Sequence, residues 1–355
     1  MYKPISEDRY IYDEGLLMQY LYHCHENGAD PVVNFDLEGP CAEHNGLYRL
    51  LDKFCSSTNC DPGRISLVTG NMIESHPTYN VKRLPKYWYE ISQIQKWIDT
   101  HPIDTGTAPT YHFGHFVGRS TWARAWIATL LDCYHSTQTL QTFHSSLGSH
   151  YVVKEHIVDR LGLDDLVLHE CDILADIVKF LNTCPRTMTK DIEEIAMMET
   201  FIPQPEHYPI QHPSNLNILK HYHNIFVDIV CETRAEGNCF FVTEKTWRGI
   251  VARRPFIVMG SWRFLTNLKR LGFQTFDRWW DEGYDDYESK NRVKEIEKLL
   301  ALIASWPLTE LQAKLQEMKS VLDHNYTVFQ TLTYKQIADV FDGSVISYYD
   351  NVTVK

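Results

Sequence analysis

The run from Ile225 to Gly260 constrains the fold more than any other stretch of the chain. Ile225 to Cys231 is an apolar run and reads as a buried strand. It ends in Glu232-Thr233-Arg234. A loop leads to Val242-Thr243-Glu244-Lys245-Thr246-Trp247-Arg248, where Thr243 stands at a helix N-cap position with Glu244 and Lys245 in the first turn. Pro255-Phe256-Ile257-Val258-Met259-Gly260 then reads as a second apolar strand. Strand, loop, helix and strand in this order predict an α/β unit with a parallel sheet. A helix N-terminus fed by a buried strand is also a natural seat for phosphate. Its free N–H groups and its dipole both favour an anion.

The chain has 355 residues, enough for two domains of roughly 100–200 residues each. Its 44% hydrophobic and 23% charged residues are globular usage. The formal net charge of -12 disfavours nucleic acid and anionic membrane as partners, although a local basic groove stays compatible with it. Nine cysteines are scattered with no Cys-x-x-Cys, so neither a zinc ribbon nor a redox motif is indicated. Free buried thiols in a reducing cytoplasm are the simplest reading; Cys55 and Cys60 would be the pair to join if the chain were secreted. The N-terminus has no apolar leader. No run approaches the ~20 residues of a spanning helix, so no membrane span is expected.

From the N-terminus, residues 12–27 read as an amphipathic helix with Leu16, Leu17, Tyr20 and Leu21 on one face. Pro31 to Phe35 is a short strand that runs into Asp36-Leu37-Glu38-Gly39-Pro40. Acids just past the end of a strand stand where open α/β sheets place their chemistry. A helix over 46–54, a strand over 65–71 and a strand with its loop over 79–89 complete the first half. Thr100 to Thr110, with Pro102, Gly106 and Pro109, reads as a linker.

The second half opens on Tyr111 to Arg119, which feeds a helix over 121–133. Arg119 and Arg124 flank the first turn of that helix, where both could reach a diphosphate; the alternative is a pair of solvated helix arginines. Residues 135–215 carry little pattern beyond helical stretches near 154–161 and 170–182. His207, His212, His221 and His223 fit no zinc spacing, so no metal site is assigned. A helix over 264–271, a short strand over 273–276 and two amphipathic helices over 291–304 and 308–323 follow. Ile296, Leu299, Leu300 and Ile303 form the apolar stripe of the first of these. The aromatic and β-branched last stretch fits an edge strand or a docked tail.

Glu232-Thr233-Arg234 followed by Phe241-Val242-Thr243-Glu244-Lys245 resembles the donor motif of the α-1,3-fucosyltransferases, Phe-Glu-Asn-Ser and then Tyr-Val-Thr-Glu-Lys. In this chain the first element reads Cys231-Glu232-Thr233-Arg234. Asn34 to Pro40 is similar to the Glu-Ser-Pro loop of that family, and Arg83-Leu84-Pro85-Lys86-Tyr87-Trp88-Tyr89 to its Arg-Met/Leu-Pro-aromatic segment. The resemblance covers residues 32–89 and 225–260. Beyond Gly260, the Trp279-Trp280-Asp281-Glu282 tract is more similar to divergent glycosyltransferase-like proteins of viral and bacterial genomes. The family fold is two Rossmann-like domains facing across a cleft, the GT-B arrangement. Applied here, it implies an N-terminal acceptor domain over 1–105, a donor domain over 111–300, and a C-terminal helix and tail over 301–355.

The resemblance further implies inverting, metal-independent transfer from a nucleotide sugar, with a GDP-sugar among the candidate donors, to a glycan or other hydroxyl acceptor. Glu244 would hold the donor ribose or sugar, Lys245 and Arg119 the diphosphate, and Glu232 the sugar. Glu38 would be the base. Such a reaction needs a base for the acceptor proton and positive charge for the departing diphosphate. Asp36 is a rival base two residues away on the same strand face, and Glu43 and His44 are further candidates. Two other functions fit the chain. One is a viral enzyme that glycosylates a modified DNA base, for which Arg248, Arg253, Arg254, Arg263, Lys269 and Arg270 are the local basic density. The other is a non-catalytic Rossmann-like nucleotide-binding protein.

Overall fold

The computed structural model describes residues 13–35, 39–85, 91, 94, 95, 98, 103, 106–117, 121–143, 168–184, 186 and 218–343. The chain is a mixed α/β protein with two parallel sheets. It divides into two compact units. The first comprises Met1–Tyr89, Glu236–Phe241 and Leu332–Lys355, the second Glu90–Ala235 and Val242–Thr331.

In the first unit, β1 (Val32–Phe35), β2 (Ser66–Thr69) and β3 (Asn80–Arg83) lie in chain order. Parallel neighbours need a crossover, and α2 (Leu47–Thr58) is the helix in the first of them. Leu47, Leu51 and Phe54 of α2 join Val33, Phe35, Ile65 and Leu67 in one core. Each such side chain contributes about 1.5–3 kcal/mol by leaving water. The first helix, α1 (Glu14–Glu26), begins where the Asp13 side chain accepts from Leu16 N at 2.9 Å. It buries Leu17, Leu21 and Cys24; Leu16, expected on the apolar face, is 51% exposed. The helix packs through its 17-21-24 edge, one position round from the predicted stripe.

Asn71 stitches the strap 236–241 into this unit. Its Oδ1 accepts from Phe240 N at 2.8 Å, and its Nδ2 donates to Asn238 O at 3.0 Å and to Glu74 Oε2 at 3.0 Å. Glu74, 6% exposed, also accepts from Ala42 N at 2.9 Å and Tyr48 Oη at 3.0 Å. This network fixes the stretch 39–42, just past the segment that holds Asp36 and Glu38. Those two acids lie outside the described residues.

The second unit carries β4 (Tyr111–Val117), β5 (Thr139–Phe143), β6 (Ile225–Cys231) and β7 (Phe256–Met259) in the order β5-β4-β6-β7. Its helices are α3 (Trp122–His135), α4 (Leu168–Leu181), α5 (Glu244–Val251), α6 (Phe264–Arg270), α7 (Ser289–Ala304) and α8 (Leu308–Thr331). Sequence predicts α5 from its cap, and Thr243 accepts from Lys245 N; α3, expected over 121–133, opens where Thr121 accepts from Arg124 N. The stripe Ile296, Leu299, Leu300 and Ile303 of α7 is buried.

Residues 273–276 are not the expected strand. Side chains take the place of a neighbouring strand: Asn325 holds Gln274 N and O, each at 2.8 Å, and Glu282 accepts from Phe276 N at 2.7 Å. Residues 344–355, most of the stretch expected as an edge strand or docked tail, lie outside the described residues. Residues 308–331 belong to the second unit, and α9 (Tyr334–Val340) of the first unit is a helix opened by a Thr333–Gln336 capping box. The helical stretch expected near 154–161 lies outside the described residues. Among the described residues, no helix is long and apolar enough to cross a membrane.

Candidate functional site: a cationic pocket at the β4–β6 switch point

The chain runs from β4 outward to β5, and the later strands β6 and β7 extend the sheet on the other side. The order therefore reverses between β4 and β6, and open α/β sheets bind ligands outside the C-terminal ends of strands at such a point. A pocket lies there, with about 270 Å³ of atom-free space including its mouth. It is lined by His115 of β4, Arg124 of α3, Asp228 and Cys231 of β6, and Lys245 and Arg248 of α5.

Each cation is placed by its element. Arg124 is 4% exposed; its Nε donates to Cys231 O at 3.2 Å and its Nη2 to Thr233 Oγ1 at 3.4 Å. The guanidinium thus ties the exit of β6 to the first turn of α3. Lys245 Nζ contacts Glu244 Oε1 at 2.8 Å and Thr243 Oγ1 at 3.2 Å. Burial works to raise the Glu244 carboxyl, but Lys245 and Arg248 outweigh it and hold the group well below the usual carboxylate range. Glu244 is therefore ionised at neutral pH. Arg248 is 8% exposed, and its Nε has no hydrogen-bond partner among the described residues.

Glu232 holds the junction together. Its carboxylate accepts from Thr243 N at 3.2 Å, from Thr246 Oγ1 at 2.6 Å and from Thr243 Oγ1. The Thr243 hydroxyl in turn accepts from Lys245 N at 3.3 Å. Sequence places Glu232 on the donor sugar. In the structure it is 1% exposed with both oxygens engaged by the N-terminus of α5.

Two pocket residues escape the sequence reading. His115 Nδ1 lies 2.7 Å from Ile229 O, so that nitrogen carries the hydrogen; Nε2 finds no partner among the described residues. Burial pushes the imidazole down to about 4, which keeps it neutral. Asp228 is 2% exposed, accepts from Tyr222 Oη at 2.8 Å and is pushed up by burial to about 7, with Arg248 opposing the rise. Burial also works against the charge of Arg248, but Tyr222 and Asp228 beside it keep it protonated. The available signal was one acid and one imidazole inside otherwise apolar strands, at Asp228 and His115.

The structure brings Thr243, Glu244, Lys245, Glu232 and Arg124 together. Arg119 lies outside the described residues, as do Asp36 and Glu38. His44 lies 3.5 Å from Glu236. The six cations named as a local basic density are buried or already engaged. Arg248 and Arg254 are buried, and Arg254 donates to Tyr222 O and His223 O. Arg253, Arg263 and Lys269 pair with Asp323, Asp286 and Asp277. Arg270 donates to Asn267 Oδ1 at 3.1 Å. Among the described residues eight cysteines are free thiols, Cys55 and Cys60 included. Among the described residues no group of three or more His, Cys, Asp or Glu is placed to hold a metal ion. Comparisons with protein family models, with curated proteins and with solved structures return no match to this chain.

Proposed function

We propose that the chain is a glycosyltransferase that moves a sugar from a nucleotide-sugar donor to an acceptor hydroxyl. The observation that carries this reading is the pocket at the β4–β6 switch point, where Arg124, Lys245 and Arg248 converge beside the N-terminus of α5. Departure of a nucleoside diphosphate builds negative charge on its terminal phosphate. Preorganised cations and N–H dipoles in a recessed site stabilise that charge without reorganising. In this reading Lys245 and Arg248 meet the diphosphate, Arg124 and Glu232 hold the surrounding backbone in place, and Glu244 accepts from sugar or ribose hydroxyls. The base is assigned to the Asp36–Glu38 segment of the first unit, with Glu38 the leading candidate.

The two units would then be the two Rossmann-like halves of a GT-B enzyme of fucosyltransferase-like type, acting with inversion and without a metal. A DNA-directed version draws no support from the six cations considered for it, because each is buried, ion-paired or hydrogen-bonded. The test is a thermal-shift screen against GDP-, UDP-, CMP- and dTDP-sugars, since a ligand of the folded state raises its apparent stability. One donor class should stabilise the protein and be slowly hydrolysed, and Lys245→Ala should remove the shift. A panel without any shift would end the proposal; binding without turnover, unchanged by Glu38→Ala, would leave a nucleotide-binding protein.

A further inference from the structure

A carboxyl group on the wall of an anion pocket repels the ligand unless it is neutral. Asp228 occupies that position. It lines the pocket from β6, and Tyr222 Oη makes the one hydrogen bond to its side chain among the described residues. Helix α5 lies directly against it, since a Cβ on Gly249 would stand 3.5 Å from Asp228 Oδ2. The preceding residue, Arg248, is buried with its Nε unpartnered among the described residues.

The charges around Asp228 come from several elements. Helix α5 contributes Arg248, Glu244 and Lys245, and the exit of β6 contributes Glu232. Strand β4 contributes His115, α3 contributes Arg124, and the turn before β6 contributes Tyr222. The register partners of Asp228 are Gly114 on β4 and Phe256 on β7, neither of which adds charge. Arg248 is therefore the cation that opposes protonation of Asp228. An anion that engages Arg248 draws that field away and adds negative charge beside the carboxyl.

We propose that the pocket binds a phosphate-type anion together with one proton, taken from solvent by the carboxyl of Asp228. This rests on the reading of the pocket as the donor's phosphate site. Arg248 is the switching cation: it faces Asp228 while the pocket is empty and the anion once it is filled. Burial brings the titration of Asp228 up to about 7, so the carboxyl is mostly ionised just above neutral pH and the coupling operates in the physiological range. By linkage, anion affinity then falls as pH rises through and above that value.

The test uses sulfate, a dianion that does not itself titrate here, with calorimetry in buffers of different ionisation enthalpy. Wild-type protein should take up close to one proton per sulfate at pH 8, and its Kd should weaken by close to tenfold per pH unit above ~7.5, the limit for one linked proton. Asp228→Asn keeps an acceptor for Tyr222, and it should bind sulfate with no proton uptake and a flat pH profile. No uptake by the wild-type protein, or a slope retained in Asp228→Asn, overturns the inference. The wild-type buffer series alone decides the matter if that variant does not fold. Sulfate binding with uptake but no nucleotide-sugar binding sustains this inference and removes the transferase. Nucleotide-sugar binding with no uptake does the reverse, and absence of both kinds of binding removes both.

Discussion

Removing the Glu232 carboxylate should loosen the front of α5 before anything else in the second unit. Glu232→Ala strands three donors, Thr243 N, Thr243 Oγ1 and Thr246 Oγ1. Thr246 can redirect its hydroxyl to a helix carbonyl, but the Thr243 amide is fixed by the backbone. A buried donor left unpaired costs about 1–3 kcal/mol, and bonds to a charged acceptor are the stronger kind. Allowing for the redirected hydroxyl, the loss is about 3–5 kcal/mol, a large share of a domain's ~5–15 kcal/mol. Glu232→Gln keeps one acceptor oxygen and should lose about half as much. The two compact units make a single global midpoint ambiguous. The assay is therefore hydrogen exchange of the α5 amides, supported by urea unfolding. If Glu232→Ala stays within ~0.5 kcal/mol of wild type, as a surface change would, Glu232 does not hold this junction.

Other parts of the fold give sharp expectations. Arg292 is fully buried and donates to the carbonyls of Gly260, Ser261, Tyr284 and Asp285, so Arg292→Met should cost at least ~3 kcal/mol in chemical denaturation. Gly39 has φ 55°, and a Cβ there would stand 3.0 Å from Asn71 N and from Phe241 Cβ, whereas Gly28, at φ 66°, has open space. Gly39→Ala should therefore destabilise by more than Gly28→Ala, whose cost is the ~1–3 kcal/mol of a left-handed backbone alone. His115 titrates at about 4 in the folded chain and near 6.5 when unfolded. Between those values the unfolded state binds the extra proton, so stability falls as pH drops through that window, by about 3 kcal/mol in all. His115→Asn, which can still donate to Ile229 O, should remove that acid sensitivity in pH-dependent unfolding.

What could be read from the sequence was local chemistry. Thr243 announces α5 because a cap needs only its own hydroxyl and an amide two residues on. The runs 225–231 and 256–259 announce β6 and β7 because a strand buried on both faces must be apolar. What stayed hidden depends on contacts far along the chain. Residues 273–276 look like a strand, and only the distant Asn325 gives Gln274 its hydrogen bonds. The strap 236–241 has no pattern of its own and is claimed by Asn71, more than 160 residues earlier. The pocket was half visible. Lys245 and Arg124 stood at helix starts, but Asp228 and His115 passed for strand interior until β4 and β6 were seen side by side. Arg248 read as one more surface cation because nothing in a sequence window shows that its helix lies against Asp228.

The central claim is that the junction between β6 and α5, with the first turn of α3, receives the phosphate end of a nucleotide sugar. The most direct measurement is hydrogen–deuterium exchange with and without the nucleotide sugar that stabilises the protein. The account predicts that protection on binding is strongest at residues 243–248 and at the first turn of α3, 122–125. Protection confined to other segments, or no stabilising nucleotide sugar at all, would contradict it.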